Sequence, residues 1–216
     1  MSRKRKRQVT INVEEKKLKE PEKTQYTVVK SSSGRWICSW AEDSPMKKAY
    51  HDEIWGTPTH DDQILFEMLV LSGFQAGLSW LTILKKMENF RNAFAQWNIQ
   101  RVAEFDATDR EKLLQNRGII RNRMKIDAAI SNANAILAIQ NGSEFESFSQ
   151  CIWRFSRKSS QKRKIGCASP TKTVEAELMS KDLKKRGFRF VGPTICYAFM
   201  QMVGIVNGHI EGCWKS

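Results

Sequence analysis

Apolar residues recur at helical spacing along most of the chain. Phe90, Phe94 and Trp97 stand at i, i+4 and i+7. Ile126, Ile130, Ala133 and Leu137 alternate steps of four and three, as do Ile195, Phe199, Met202 and Val206. Each set falls on one face of a helix. Residues 62–71 are different: Ile, Leu, Phe, Met and Val crowd together with Glu67 as an interruption, which predicts a helix buried on all sides. Period-two alternation is confined to Tyr26–Val29. The pattern from Trp36 onward therefore predicts an all-α domain.

Ahead of it, residues 1–34 hold few large apolar side chains to offset the entropy of ordering, and read as a disordered basic tail before a folded domain over 35–216. The tail opens with Arg3-Lys4-Arg5-Lys6-Arg7. That run fits a nuclear-import signal or a DNA-tethering arm, and fits a solubilising tail equally well. Residues 156–169 also break the helical pattern. They carry basic and amide groups with hardly any large apolar side chain, and predict an exposed loop that either meets DNA phosphates or is simply solvated.

Charge narrows the partners. The net charge is +13, and the tail, with ten Lys/Arg against four Glu, leaves +7 on the domain. Nucleic acid is the first partner to consider, an anionic membrane surface the second. No apolar run is long enough to span a bilayer, and the charged N-terminus lacks the apolar core of a secretory signal. Five scattered Cys, an odd number, suit reduced thiols in packing or metal roles rather than disulfides. The expectation is an intracellular protein, nuclear if the source is eukaryotic and cytoplasmic otherwise, monomeric and not membrane-bound.

Two segments carry candidate chemistry. Leu178–Arg186 reads as a helix with Lys184, Lys185 and Arg186 at its C-terminal end, where cations are favoured. Gly187 ends it, and the turn to Gly192 delivers Pro193 to the first position of a second helix through Met200. A helix, a glycine-flanked hairpin and a helix point backbone N–H groups outward, where a DNA phosphate can sit. Any αα-hairpin with a glycine turn reads similarly. The second candidate is a mixed thiolate–imidazole set: Cys38 and His51 near the start of the domain, His209 and Cys213 at its end. If the last two lie on a helix, their spacing of four puts them on one face. Four such ligands satisfy zinc with no open position, as in structural sites. With five Cys and three His in the chain, buried thiols that merely pack are the competing reading.

Several strings, taken together and in order, resemble the 3-methyladenine DNA glycosylase I family. They are Ala49-Tyr50-His51-Asp52 followed by Trp55-Gly56, Leu65-Phe66-Glu67-Met68-Leu69, Gln75-Ala76-Gly77-Leu78-Ser79-Trp80, Gly118-Ile119-Ile120-Arg121-Asn122-Arg123, and Leu183-Lys184-Lys185-Arg186-Gly187-Phe188, with Phe190-Val191-Gly192 and Thr194-Ile195-Cys196-Tyr197. They span about Trp36 to Cys213.

This resemblance implies a helix-hairpin-helix DNA glycosylase fold with its termini stapled by one structural zinc on Cys38, His51, His209 and Cys213. It implies a base-excision repair enzyme, a monofunctional hydrolase that cuts the N-glycosidic bond of alkylated adenine in double-stranded DNA after flipping the base into a pocket. Trp80 is expected to stack on the base, Tyr50 to offer its hydroxyl at the edge, and Trp40 and Trp55 to complete an aromatic wall. Lys185, Arg186, Gly187, Arg189, Gly192 and Thr194 are the expected backbone-binding residues. No catalytic residue is assigned: where related glycosylases outside this family place an Asp, this chain has Asn207.

Three positions depart from the family pattern. Ser72 stands where a carboxylate normally accepts hydrogen bonds from the base, a change worth roughly 1.5–3 kcal/mol if recognition relied on it. Lys47 replaces a Tyr near the pocket, and Ala198 is smaller than the Ser of some members. A weakened DNA-binding member, or a glycosylase of altered base preference, is therefore the alternative expectation.

Overall fold

The computed structural model describes residues 27–156 and 163–216. The tail reading for residues 1–26, including the Arg3–Arg7 run, and the middle of the basic loop lie outside the described residues.

One helix organises the rest. α2 (Asp62–Gln75) is buried continuously from Leu65 to Phe74, so it has no solvent face to make it amphipathic. Asp61 caps its start by accepting from Gln63 N and Ile64 N, at 2.8 and 2.9 Å. Around it pack α3 (Trp80–Leu84), α7 (Arg123–Gln140), α8 (Phe148–Trp153) and α10 (Pro193–Met202). α9 (Val174–Lys185) lies against α10. α1 (Pro45–Glu53), α4 (Met87–Ala93), α5 (Ile99–Ala103) and α6 (Ala107–Gln115) complete the helical set among the described residues.

The first strand falls inside the segment that composition assigns to the tail. β1 (Val28–Lys30) pairs antiparallel with β2 (Trp36–Cys38), Val29 opposite Ile37, across a turn in which Ser31 N donates to Arg35 O at 2.8 Å. The folded unit therefore begins before residue 35, and Trp36–Cys38 is strand rather than helix. The pair is short, yet its apolar strands, Val28-Val29 and Trp36-Ile37-Cys38, bury Ile37 and Cys38 beneath the C-terminal segment, which outweighs the polar turn between them.

The Phe90–Phe94–Trp97 spacing also ends differently. α4 stops at Ala93, and Ala95, Gln96 and Trp97 all take left-handed backbone angles, φ 50, 53 and 61°. Left-handed geometry costs roughly 1–2 kcal/mol per non-glycine residue. The turn stacks Trp97 on Phe94 with ring centroids 5.0 Å apart and planes 7° from parallel, inside the core.

Candidate functional site

At the junction of α1, α2, α3 and α10 lies a cavity of about 200 Å³ lined by Trp40, Tyr50, Trp55, Gln75, Trp80, Ala198, Gln201 and Met202. All four aromatics expected from the sequence meet here. Trp40 and Trp55 pack edge to face at 5.0 Å, and Tyr50 tilts against Trp80 at 5.1 Å. The Tyr50 hydroxyl and the Trp80 indole N–H are both buried without a hydrogen-bond partner. Each such orphan costs on the order of 1–3 kcal/mol, so the folded chain keeps two unsatisfied polar groups beside an aromatic cavity. Burial also pushes the Tyr50 pKa well up, which keeps its hydroxyl protonated.

The turn leading to Trp80 is tied down from α7. Buried Lys125 donates to Phe74 O and Ala76 O at 2.8 and 2.7 Å, satisfying carbonyls at the end of α2. Ser79 then caps α3 by accepting from Thr82 N at 3.2 Å, and Trp80 is its first residue.

Ser72 is not among the residues lining the cavity. Its hydroxyl donates to Met68 O at 2.7 Å, one turn back on its own helix, and reaches Met202 Sδ at 3.3 Å. Its hydroxyl is thus turned onto its own helix rather than into the cavity. Lys47 is likewise removed from the cavity, paired with Asp43 at 2.7 Å. The residues that the sequence reading missed are Gln75, Gln201 and Met202. Gln201 follows Ala198 by three on α10, so the two share a face of the helix, and that spacing from a position singled out by the resemblance was the available signal.

Behind the aromatic wall, Cys38, His51, His209 and Cys213 converge. All four are buried, and one donor atom from each lies within 4.8 Å of the others. Cys213 Sγ is 3.4 Å from His51 Nε2 and 3.6 Å from His209 Nδ1, and Cys38 Sγ is 3.8 Å from His209 Nδ1. The remaining imidazole nitrogens are spoken for: His51 Nδ1 donates to Asp52 Oδ1 at 2.8 Å, and His209 Nε2 to the Trp55 carbonyl at 3.3 Å. Each ring thus turns its lone pair toward the cluster, the second-layer arrangement that metal-binding histidines use.

His209 and Cys213 sit not on a helix but on a turn after Met202, with Asn207 Oδ1 accepting from His209 N at 2.9 Å and fixing its start. Gly56 makes room for the cluster. Its φ is +74°, and a Cβ there would lie 2.6 Å from His209 Nε2. Cys38 is pushed up by its hydrogen bond to Cys213 and by burial, while Cys213 is held low by that same bond. A bound cation would favour both thiolates.

The hairpin between α9 and α10 is also formed. Gly187, at φ +87°, closes α9 with Gly187 N donating to Lys184 O and Phe188 N to Leu183 O, a Schellman ending. Buried Asn132 of α7 clamps the turn from both sides, accepting from Arg189 N at 2.8 Å and donating to Arg189 O at 3.1 Å. Lys185, Gly187, Arg189 and Thr194 are exposed, and nothing lies within 4 Å of a Cβ built on Gly187 or Gly192. That face is open for a backbone to approach. Arg186 behaves differently: it pairs with Asp182 at 2.9 Å and Glu144 at 2.8 Å and stacks over Phe145, so its guanidinium is committed to the fold.

A helical body with an outward helix-hairpin-helix turn and an aromatic cavity has the architecture of a helix-hairpin-helix DNA glycosylase. The methyladenine glycosylase family model matches residues 40–216, and the chain belongs to that family. It is 49% identical over 179 residues to DNA-3-methyladenine glycosylase 1 of Escherichia coli K12, covering 82% of this chain and 94% of that one. A crystal structure of 3-methyladenine DNA glycosylase I superposes with a TM-score of 0.75 at 50% identity, over 82% of this chain and 98% of that one. A second, solved in complex with 3-methyladenine, gives 0.78 at 32% identity over 83% and 96%.

Proposed function

We propose that this protein is a DNA-3-methyladenine glycosylase that flips the damaged nucleotide out of duplex DNA and hydrolyses its N-glycosidic bond. The observation that carries this reading is the pair of orphaned buried groups, Tyr50 Oη and Trp80 Nε1, at the wall of an aromatic cavity. They are groups that a polar planar ligand would satisfy. At about 200 Å³ the cavity is smaller than the roughly 300–1,000 Å³ of drug-sized ligand sites, in keeping with one purine.

The chemistry suits a site without a catalytic carboxylate. A 3-methyladenine nucleotide is cationic on its base, and aromatic faces attract such a ring. When the C1′–N9 bond breaks, its electron pair neutralises the base, which leaves as free 3-methyladenine. Water adds its oxygen to C1′ and releases a proton to solvent. The residues bind, orient and exclude bulk water, and Asn207, engaged with His209 N, has no proton to take.

We further propose zinc as the ion of the Cys38–His51–His209–Cys213 cluster. Two thiolates and two imidazoles are a zinc donor set. The ion would hold the first and last segments of the fold together, with no position left for water. Exposed Lys185 and Arg189, together with the N–H groups at the open start of α10, would grip the phosphates of double-stranded DNA.

The test is chromatography of the bases released from methylated duplex DNA by the purified protein. Release of 3-methyladenine well above the buffer control is the expected result. DNA binding without any released base would replace this reading with that of a binding protein.

A further inference from the structure

If the cavity holds methyladenine, something other than Ser72 must read its edge. We propose that Gln201 does so, through its carboxamide, and that it is the specificity-determining residue of this pocket. The assignment rests on the reading of the cavity given above.

Three observations support it. First, Ser72 is only 3% exposed and spends its hydroxyl on Met68 O, leaving no carboxylate among the lining residues. Second, two lining residues, Gln75 and Gln201, carry a carboxamide, which sets a donor beside an acceptor in one plane. Third, of these two, Gln201 is the one held in place. Its Nε2 donates to Ser169 Oγ at 3.3 Å, and it packs against Trp55 over Gly208, where a Cβ would come within 2.6 Å of Nε2 and 2.8 Å of the Trp55 ring. One N–H and the carbonyl oxygen remain for a ligand. A fixed amide loses little entropy on binding.

The chemistry of the amide then sets the preference. Adenine presents a donor at N6 beside an acceptor at N7, and a glutamine amide matches that pair with two hydrogen bonds. Guanine offers two acceptors, O6 and N7, and only the amide N–H can serve them. An acceptor-only carboxylate, by contrast, reads the amine alone. Gln201 therefore supplies adenine selectivity without a negative charge, and the positive charge of the lesion is left to the π faces of Trp40, Trp55 and Trp80.

The experiment compares the wild type with Gln201→Leu, Gln201→Glu, Gln75→Ala and Gly208→Ala on methylated duplex DNA, measuring released 3-methyladenine and 3-methylguanine separately. Tryptophan fluorescence titration with free 3-methyladenine and melting temperature are recorded alongside. Gln201→Leu should lower 3-methyladenine release on the order of 10- to 100-fold, from the roughly 1–3 kcal/mol of a bidentate pair. 3-Methylguanine should fall by less than about threefold, with the melting temperature unchanged. Gln201→Glu, which keeps an acceptor, should recover part of the loss; Gly208→Ala, whose Cβ meets both the amide and the Trp55 ring, should lower release of both bases, and Gln75→Ala should leave the ratio of the two bases unchanged.

Equal loss of both bases in Gln201→Leu, or no loss, overturns the assignment. Should the wild type release no base yet bind free 3-methyladenine, and Gln201→Leu weaken that binding, the assignment stands and the proposed activity falls. If the wild type neither releases nor binds the base, both fall.

Discussion

His209 and Trp55 join the Cys/His cluster to the aromatic cavity. The imidazole Nε2 lies 3.3 Å from the Trp55 carbonyl, the two rings pack 4.5 Å apart at 70°, and Trp55 forms part of the cavity wall. The cluster also joins β2, α1 and the C-terminal turn, which are distant in sequence. A metal bound at this cluster would set the shape of the cavity as well as the stability of the chain.

Removing one ligand should therefore be felt twice. His209→Ala is expected to lose bound zinc, measured by elemental analysis, and to lower the melting temperature by about 10 °C, since a loss of several kcal/mol moves a domain of this size by roughly 2–4 °C per kcal/mol. Extended treatment with a chelator should lower the wild-type melting temperature in the same direction. Unchanged metal content and melting temperature in His209→Ala would remove the staple.

Gly56→Ala probes the same junction from the other side. A Cβ would meet His209 Nε2 at 2.6 Å and would sit on a residue with φ +74°. Left-handed strain costs about 1–3 kcal/mol, and displacement of the ring adds to it. Urea unfolding should show a loss of at least this order, together with weaker zinc retention in competition with a chromophoric chelator. A variant as stable as the wild type would mean that the ring relaxes freely.

The hairpin cations should separate by function. Arg189 is exposed, whereas Arg186 is held between Asp182 and Glu144. Arg189→Ala is expected to weaken DNA binding uniformly across sequences and to reduce the salt slope of log K by about 1, without a change in melting temperature. Arg186→Ala should instead lower the melting temperature. That loss depends on Asp182, which burial would push up but which Arg186 and Arg154 hold below the usual carboxylate range. A depressed carboxylate contributes stability above its unfolded pKa of 3.8, and the contribution fades as pH falls through the lower folded value. The wild type and Asp182→Asn should therefore differ in melting temperature at pH 7 and converge in strong acid.

Glu67 carries the opposite sign. It is buried inside α2, and desolvation raises its pKa above 4.5 even though Arg91 approaches at 2.8 Å. A raised carboxylate favours the fold when protonated, so its contribution is fully present below the unfolded pKa and is lost as pH rises through the folded value. Glu67→Gln, which is neutral at every pH, should be at least as stable as the wild type at pH 7, and that advantage should shrink toward pH 4. A large loss of stability at pH 7 would show the Arg91 pair to outweigh the burial.

Much of this fold is legible in the sequence because its signals are local. The continuous apolar run gives α2, the four-and-three spacing gives α7 and α10, and Gly187 and Pro193 bracket the hairpin. What stays hidden is set by contacts between distant segments. Of the hairpin, only the alternation at Tyr26–Val29 hinted at a strand; its partner Trp36–Cys38 is set by the C-terminal segment, where Trp214 N donates to Trp36 O at 2.9 Å. Trp97 keeps helical spacing from Phe90 but reaches the core through a left-handed turn that no periodicity encodes. His209 and Cys213 have helical spacing too, yet a turn brings them together. The convergence of the two thiols and two imidazoles, and of the four cavity aromatics, was legible because their chemical type, together with family resemblance, singles them out wherever the backbone carries them.

The direction of a hydroxyl is beyond any such reading, and Ser72 shows the consequence. A small polar residue in place of a base-reading carboxylate suggests a damaged pocket, but its Oγ is bonded to Met68 O, a common use of serine within a helix. Ser72→Ala should accordingly leave 3-methyladenine release within about twofold of the wild type. The stability change should be of the order of one neutral hydrogen bond, roughly 0.5–1.5 kcal/mol, because the acceptor Met68 O lies within a helical ladder and keeps its main-chain partner. Rates of base release and urea midpoints measured on the same preparations check both parts. A tenfold loss of release at unchanged stability would mean that Ser72 turns toward the bound base, and recognition would then be shared between Ser72 and Gln201.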